Sequence, residues 1–196
     1  QNVKKQFEEL QSLLERAMAL QTSMVLFEWD DETLAPKGAA EHTARVIGSL
    51  SEQYQEILAS MRFKELLDIC QKAEKENVGI FDEVQSAILR EAAEEQERLS
   101  CIPPEEYRAY AELTARATGI WTRAREKNDF ASFAPVLKEI ISYQKKFAAY
   151  RAKPGQKLYD VMLDTYEKGF NMEMLDPFFE LMKGKIVPLL KESAER

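Results

Sequence analysis

Histidine and cysteine are scarce in this sequence of 196 residues, which contains His42 alone and only two cysteines, Cys70 and Cys101. A zinc peptidase of the HExxH type needs two histidines on one face of a helix, with the glutamate placed to activate water. One histidine cannot form that site or a three-histidine site. A GxSxG nucleophile motif and a glycine-rich phosphate loop are also missing. The residue inventory therefore predicts that this chain is not a self-sufficient enzyme and holds no zinc or other cofactor by itself.

The single histidine and the two cysteines have ordinary structural interpretations. His42 follows Glu41 in a polar stretch, so we interpret it as a solvated surface residue, with a catalytic or ligand role as the alternative. Cys70 and Cys101 are far apart and form no CxxC motif. Two free thiols are therefore favoured over a structural disulfide.

Basic clusters and long apolar runs are also missing. Lysine and arginine number 27 against 34 aspartates and glutamates, which gives a formal net charge of −7. An acidic chain without a basic run is a poor match for nucleic acid or for an anionic membrane surface. No run of 18 apolar residues is present, so a membrane-spanning helix is not expected. We expect a cytoplasmic protein that binds neither nucleic acid nor membrane.

Only seven glycines and seven prolines occur, and they fall between segments whose apolar residues recur at helical spacing. Alternation typical of strands is absent. The sequence predicts an all-α fold of about eight mostly antiparallel helices with short loops, in a single helical domain or subdomain over residues 1–196. Core positions predicted in the first four helices are Phe7, Leu10, Leu14, Ala17, Met18 and Val25; Val46, Leu50, Tyr54, Ile57 and Leu58; Phe63, Leu66, Leu67 and Cys70; and Phe81, Val84, Ile88 and Ala92.

Residues that start or end the later helices can also be predicted. Pro104 suits the first turn of a fifth helix, and Asp129 is a candidate N-cap for a sixth. Gly169 is predicted to follow the end of a seventh helix that begins at Tyr159. Pro188 should kink or locally break the eighth.

The stretch from Trp29 to Arg45 is the most informative part of the sequence, because no simple packing rule requires it. An acidic run, Glu28 to Glu32, precedes a turn that contains Pro36 and Gly38. The run offers oxygen ligands for a divalent cation but lacks the spacing and glycine of a calcium loop, so a solvated helix end is favoured. We expect Trp29 to pack and Asp30 to pair with a cation such as Arg45.

Two further pairs of residues can be interpreted either as structural or as functional. Trp121 and Arg125 are four residues apart and are predicted to form a cation–π pair on a helix. Tyr159 and Tyr166, seven apart, are predicted to share one core face with their hydroxyls satisfied. The alternative is that these tyrosines, beside carboxylates such as Glu167, bind a substrate amide or transfer protons.

These residues together resemble the carboxypeptidase Taq family of zinc metallocarboxypeptidases. The segment Trp29-Asp30-x-Glu32-Thr33-x-x-Pro36-x-Gly38-Ala39 with Arg45 is similar to the family's Trp-Asp-Gln-Glu-Thr-x-x-Pro-x-Gly-Gly. Asp31 replaces the glutamine and Ala39 the second glycine. Further similar segments follow in the same order: Trp121-x-x-Ala124-Arg125, Asp129-Phe130-x-x-Phe133-x-Pro135-x-Leu137, Tyr159-Asp160-x-x-Leu163-Asp164-x-Tyr166-Glu167-x-Gly169 (with Lys168 for the family's proline), and Leu175-Asp176-Pro177-Phe178-Phe179.

The resemblance implies an exopeptidase that removes C-terminal residues from peptides with a zinc-bound water. It also implies that the zinc ligands, the catalytic glutamate and the residues that bind the substrate carboxylate lie beyond Arg196, so no catalytic or metal role is carried onto this chain. We expect an N-terminal portion of a larger, mostly helical metallopeptidase that forms a wall or cap of the substrate cleft. Its expected partners are the C-terminal catalytic half, the peptide substrate in the full-length enzyme, and further copies of itself through exposed apolar surface.

Two other functions stay open from the sequence. One is a free-standing helical binding module that lacks the catalytic half. The other is a complete small enzyme that uses a carboxylate-bound metal.

Overall fold

The structure is a computed structural model that describes residues 2–194. The all-α prediction is confirmed in this range, which contains eight α-helices, one 3-10 turn and no strand. The helices are α1 Asn2–Thr33, α2 Ala40–Leu58, α3 Met61–Glu76, α4 Glu83–Ser100, α5 Pro104–Glu126, α6 Phe130–Arg151, α7 Leu158–Tyr166 and α8 Met172–Ala194, with the 3-10 turn at Lys37–Ala39 between α1 and α2.

Helix α3 supplies the centre of the main hydrophobic core. Its apolar residues at positions i, i+3, i+4 and i+7 fall on one face, and all four are buried as the sequence predicts. Helices α1 and α4 contribute facing side chains, and the ring of Phe81, in the loop before α4, lies 4.9 Å from the ring of Phe7. The buried members of this core are Phe7, Leu10, Ala17, Leu58, Phe63, Leu66, Leu67, Cys70, Phe81, Leu89, Ala92 and Leu99.

Helix α2 packs mainly through small and polar residues, although the predicted Leu58 is buried and the predicted Tyr54 and Ile57 pack against the core. Val46 and Leu50 are only half-buried, whereas the buried face consists of Thr43, Ala44, Ile47, Gly48, Ser51, Gln55 and Leu58. The reason is the close approach of α5, whose Glu112 side chain lies against Gly48. A large side chain at position 48 would hold the two helices apart, so the part of α2 that faces α5 is not the apolar face predicted around Val46 and Leu50.

Three other predicted core positions are exposed. Met18 and Val25 are 63% and 56% exposed on α1, and Val84 is 68% exposed in the first turn of α4. Helix α1 has 32 residues, and its buried residues all fall between Phe7 and Ala17. Its second half therefore presents apolar side chains to solvent among the described residues.

The helix ends follow local capping chemistry. Asp82 and Gln85 form a reciprocal capping box at the start of α4, with bonds of 2.8 and 3.1 Å. The predicted cap Asp129 is confirmed, because its Oδ1 accepts a hydrogen bond of 3.2 Å from the backbone N–H of Ser132. Pro104 is the first residue of α5, as predicted. Gly169 has a φ of +81°, and it lies two residues after the C-cap of α7 rather than directly after it.

The described residues divide into two compact units, one ending at Tyr143 and the other beginning at Gln144, so the boundary falls within α6. In the second unit, α7 and α8 are joined by a short turn. Helix α8 runs unbroken through Pro177 and Pro188, so the local break predicted at Pro188 is not observed and a kink stays a prediction. It has no buried residue along its length.

Two sequence predictions about thiols and membranes can be compared with the structure. Cys70 and Cys101 are not joined by a disulfide, as predicted. Among residues 2–194, no helix combines the length and the apolar character needed to cross a bilayer.

Candidate functional site

The corner between α1 and α2 is built by backbone hydrogen bonds. The N–H groups of Leu34 and Ala35 both donate to the carbonyl of Asp30, at 2.9 and 2.8 Å, and so end α1. Pro36 has an extended conformation, and its carbonyl accepts from Ala39 at 2.8 Å to close the 3-10 turn. A Cβ at Gly38 would meet no described atom within 4 Å, so neither close packing nor a positive φ explains this glycine.

The two interactions predicted at this corner are absent. Trp29 is 57% exposed rather than packed. Arg45 pairs with Glu41 at 3.6 Å, and no ion pair between Arg45 and Asp30 is found among the described residues. Glu41 lies one helical turn before Arg45 on the same helix, so the local carboxylate is the one within reach.

A cleft of about 270 Å³ lies between this corner and α5. Its acidic wall comes from the last turns of α1, and its other walls come from α2 and α5. The lining residues are Glu28, Asp31, Glu32, Ala40, Thr43, Ala44, Ile47, Thr114, Ala115 and Thr118. The acidic run that the sequence analysis interpreted as a solvated helix end therefore forms one side of a concave site.

The side chains that line the cleft carry an excess of negative charge. Partial burial and the neighbouring charge of Glu32 raise the pKa of Glu28 above its usual value. The nearby Arg116 is directed elsewhere, since its Nη1 lies 3.6 Å from carboxylates of Glu41 and Glu112. The three cleft carboxylates have no ion-pair partner in the part of the chain that the structure describes.

Sequence reasoning missed the threonine side of this cleft. Thr43 comes from α2, whereas Thr114 and Thr118 come from α5, about 70 residues later in the chain. The four-residue spacing of Glu28 and Glu32 places both on one face of α1 and could have indicated that face. No sequence signal links that face to the threonines.

The predicted cation–π pair of α5 is confirmed. The guanidinium carbon of Arg125 lies 5.2 Å from the centre of the Trp121 ring, and that ring is 44% exposed. The pair lies on the helix surface, so its role here is local stabilisation of the last turns of α5.

In the second unit, the tyrosines of the signature do not face a core. Tyr159 and Tyr166 are 62% and 82% exposed, so the prediction of a shared core face is wrong. The carboxylates between them cap backbone instead. Asp160 accepts from the N–H of Met172 and Asp164 from that of Gly169, both at 2.9 Å.

Glu167, the last of the predicted signature residues in this unit, is the C-cap of α7. Its backbone N–H donates to the carbonyl of Leu163 at 2.9 Å. Tyr159, Tyr166 and Glu167 are all exposed, so the aromatic side chains of α7 lie on the surface. The turn after α7 is held by hydrogen bonds to backbone N–H groups instead.

The residues present do not fit a zinc site. His42 is exposed and Cys70 is buried in the core. Across residues 2–194, no three histidine, cysteine or acidic side chains come close enough together to hold a metal ion. No chemical step through a metal can therefore be assigned to these residues.

Metallocarboxypeptidases are the class of proteins whose solved structures share this fold. The crystal structure of BsuCP matches with a TM-score of 0.89 and 32% identity, over 96% of this chain and 37% of that one. Metallocarboxypeptidase 1 of Trypanosoma cruzi matches with a TM-score of 0.76 and 28% identity, over 97% of this chain and 38% of that one. A family model described as carboxypeptidase Taq (M32) metallopeptidase matches residues 9–196, so this chain belongs to that family.

Curated relatives agree with this assignment. Carboxypeptidase 1 of Bacillus subtilis is 34% identical over 184 residues, which are 94% of this chain and 36% of the relative. Thermostable carboxypeptidase 1 of Pyrococcus furiosus is 31% identical over 180 residues, 92% of this chain and 35% of the relative. The chain thus spans about a third of the length of the curated relatives it matches.

Proposed function

We propose that this chain serves as a non-catalytic helical portion of a zinc-dependent metallocarboxypeptidase that removes C-terminal amino acids from peptides. The observation that carries the proposal is the family match over residues 9–196, combined with a span of about a third of the relatives' length. The zinc ligands would then come from residues outside this segment. In the longer enzyme these helices would form a wall or cap of the substrate cleft and restrict access to chain ends.

Exposed apolar surface supports a role within a larger assembly. Phe178, Met182, Ile186 and Leu189 follow one face of α8, and each is between 37% and 64% exposed. A helix with this pattern and no buried residue needs a covering surface in water. We propose that the catalytic part of the enzyme covers this face.

The first experiment measures metal and activity in the purified chain. We expect no stoichiometric zinc by elemental analysis and no release of C-terminal amino acids from blocked dipeptides. Stoichiometric zinc together with chelator-sensitive peptidase activity would contradict the proposal. Sequencing the reading frame past the codon for Arg196 separates the alternatives, because an HExxH motif supports the peptidase portion and an immediate stop codon supports a free-standing binding module.

A second experiment tests the exposed face. The isolated chain should self-associate in sedimentation velocity runs, and Phe178→Gln with Leu189→Gln should reduce that association. The matched control is Val78→Gln, because Val78 is fully exposed in the loop between α3 and α4. A strictly monomeric wild-type chain at high concentration would argue against a covering partner for α8.

A further inference from the structure

We propose that the outer face of the corner between α1 and α2 is a docking surface for the catalytic part of the longer enzyme. This inference rests on the proposed function, because it requires a longer polypeptide, and it adds a second surface to the one proposed on α8. The corner face consists of apolar and small residues of α1 and the turn that follows it, namely Met18, Val25, Leu26, Trp29, Leu34 and Gly38.

The corner face is apolar and exposed. Leu26 and Trp29 are 61% and 57% exposed, and because they are three residues apart their side chains are neighbours on the surface of α1. Leu34, directly after the end of α1, is 73% exposed. Single apolar residues on a surface are normal, whereas a contiguous group of large ones marks a surface that binds something.

The corner face continues a side of α1 that is covered nearer to the start of the helix. Phe7 is buried there, and Leu14 packs against the hydrophobic core. Met18, Val25 and Trp29 follow Leu14 at steps of four, seven and four residues, which keep them on the same side of the helix. One apolar side of α1 is thus covered in its first half and exposed in its second half. A further packing element over the second half would complete the pattern.

Gly38 is the second and independent indication of a covering partner. It does not have a positive φ, and a Cβ added to it would meet no described atom within 4 Å. Alanine would fit without collision and would lower the entropy of the unfolded chain, so the chain itself gains nothing from glycine at this position. A glycine does, however, allow another backbone to approach closely. Gly38 therefore points to a partner that lies against the turn.

The length of the relatives favours one occupant. This chain spans about a third of the length of its curated relatives, so about two thirds of such an enzyme is available to cover the corner face. Trp29 and Gly38 both belong to the segment that resembles the family's Trp-Asp-Gln-Glu-Thr-x-x-Pro-x-Gly-Gly motif. Residues that carry the family resemblance are thus among those without a packing role inside this chain. A second copy of the chain is the alternative occupant, and the experiment separates the two.

The test is hydroxyl-radical footprinting, read by mass spectrometry, of the isolated chain and of the polypeptide encoded by the complete reading frame. We expect the modification rates of Trp29 and Leu34 to fall about fivefold or more in the longer polypeptide, because docking removes these side chains from the solvent. Val84 is 68% exposed in the first turn of α4 and should react equally in both samples. Low reactivity of the buried Phe63 in both samples checks that each is folded.

Two substitutions separate docking from local stability. Gly38→Ala should keep or raise the melting temperature of the isolated chain, whereas in the longer polypeptide its Cβ should lower that temperature by about 4 °C or more. Trp29→Gln should change the melting temperature of the isolated chain by less than about 2 °C and lower that of the longer polypeptide similarly to Gly38→Ala. The matched controls, Gly119→Ala and Val84→Gln, should each have the same effect in both polypeptides.

Zinc content and release of C-terminal amino acids, measured on the same samples, separate this inference from the proposed function. A zinc-loaded and active longer polypeptide in which Trp29 reacts as fast as in the isolated chain would overturn the docking surface alone. Equal protection of Val84 would also overturn it, since the protection would not be specific to the corner. Protection of Trp29 that depends on the concentration of the isolated chain would assign the face to a second copy instead. A reading frame that ends at Arg196 would contradict both proposals.

Discussion

The side-chain amide of Gln55 donates a hydrogen bond of 2.6 Å from Nε2 to the carbonyl oxygen of Ile102. A second bond of 3.1 Å runs from the same nitrogen to the carbonyl of Leu99. Gln55 is only 1% exposed, and it joins the last turn of α2 to the end of α4 and the turn that follows it. A polar side chain thus holds together two helices about 45 residues apart in the chain.

Replacing Gln55 with leucine should destabilise the fold by about 2 kcal/mol, because it leaves the carbonyl of Ile102 without its donor, whereas the carbonyl of Leu99 still accepts from the backbone N–H of Ile102 at 3.1 Å. Part of the loss is offset, since the Oε1 of Gln55 has no partner among the described atoms. The matched control is Gln53→Leu on the same helix, whose exposed amide bonds only to the carbonyl of Ser49 at 3.3 Å. Urea unfolding should separate the two variants by more than 1 kcal/mol. Similar midpoints would mean that the bonds of Gln55 contribute no net stability.

Gly48→Ala should also destabilise, although alanine is the better helix former. A Cβ at Gly48 would collide with the Cγ of Glu112, whose carboxylate is held by Arg108 at 3.1 Å. We expect a loss of about 1–3 kcal/mol from overpacking between α2 and α5. Gly119→Ala is the control, because the nearest atom there is the Nη1 of Arg123 at an ordinary 3.5 Å.

For Gly119→Ala, the lower entropy of the unfolded chain should give a gain of about 0.5–1 kcal/mol. Thermal unfolding measures both changes. Opposite signs for the two substitutions are the expected result, and stabilisation by both would show that Glu112 moves aside without cost.

Glu28→Gln should stabilise the chain more at neutral pH than at acid pH. The pKa of Glu28 is raised because burial and the charge of Glu32 disfavour the carboxylate. A carboxyl group with a raised pKa in the folded state favours folding below its unfolded pKa, and this contribution is lost as the pH rises through the folded pKa. Glutamine never ionises, so the gain in melting temperature should be larger at about pH 7.5 than at about pH 4.

Glu8→Gln is the control for this pH dependence, because Glu8 is exposed at the other end of α1. Its melting temperature should follow that of the wild type at both pH values. A gain from Glu28→Gln that is equal at the two pH values would mean that folding does not raise the pKa of Glu28.

Asp82→Ala should lower the stability by about 1 kcal/mol, because it removes the acceptor that caps α4. Asp82→Ser preserves a capping oxygen and should recover most of that loss. Helix content and unfolding midpoints check both variants by circular dichroism. Equal losses for alanine and serine would show that the charge of Asp82 at the helix start, rather than its hydrogen bond to Gln85, supplies the stability.

Predictions from the sequence succeeded where the relevant interaction is local. The spacing of Phe63, Leu66 and Cys70 identified the buried face of α3, and Asp129 was recognised as the cap of α6. The pairing of Trp121 with Arg125 follows from one helical turn. Predictions failed for Trp29 and for the tyrosines of α7, because exposure depends on which distant segment covers a side chain.

The sequence by itself determined the helical class, helix starts such as those at Pro104 and Asp129, and the family, since these follow from periodicity, capping residues and collinear motifs. Tertiary structure alone decided that α2 also buries a face of small and polar residues, where Glu112 of α5 lies against Gly48. It also decided that the acidic end of α1 faces Thr43 and the threonines of α5 across a cleft. The physical reason is that a cleft is lined by side chains that are distant in the sequence. The net charge of its lining also depends on whether nearby arginines pair with the carboxylates of the cleft or with other carboxylates.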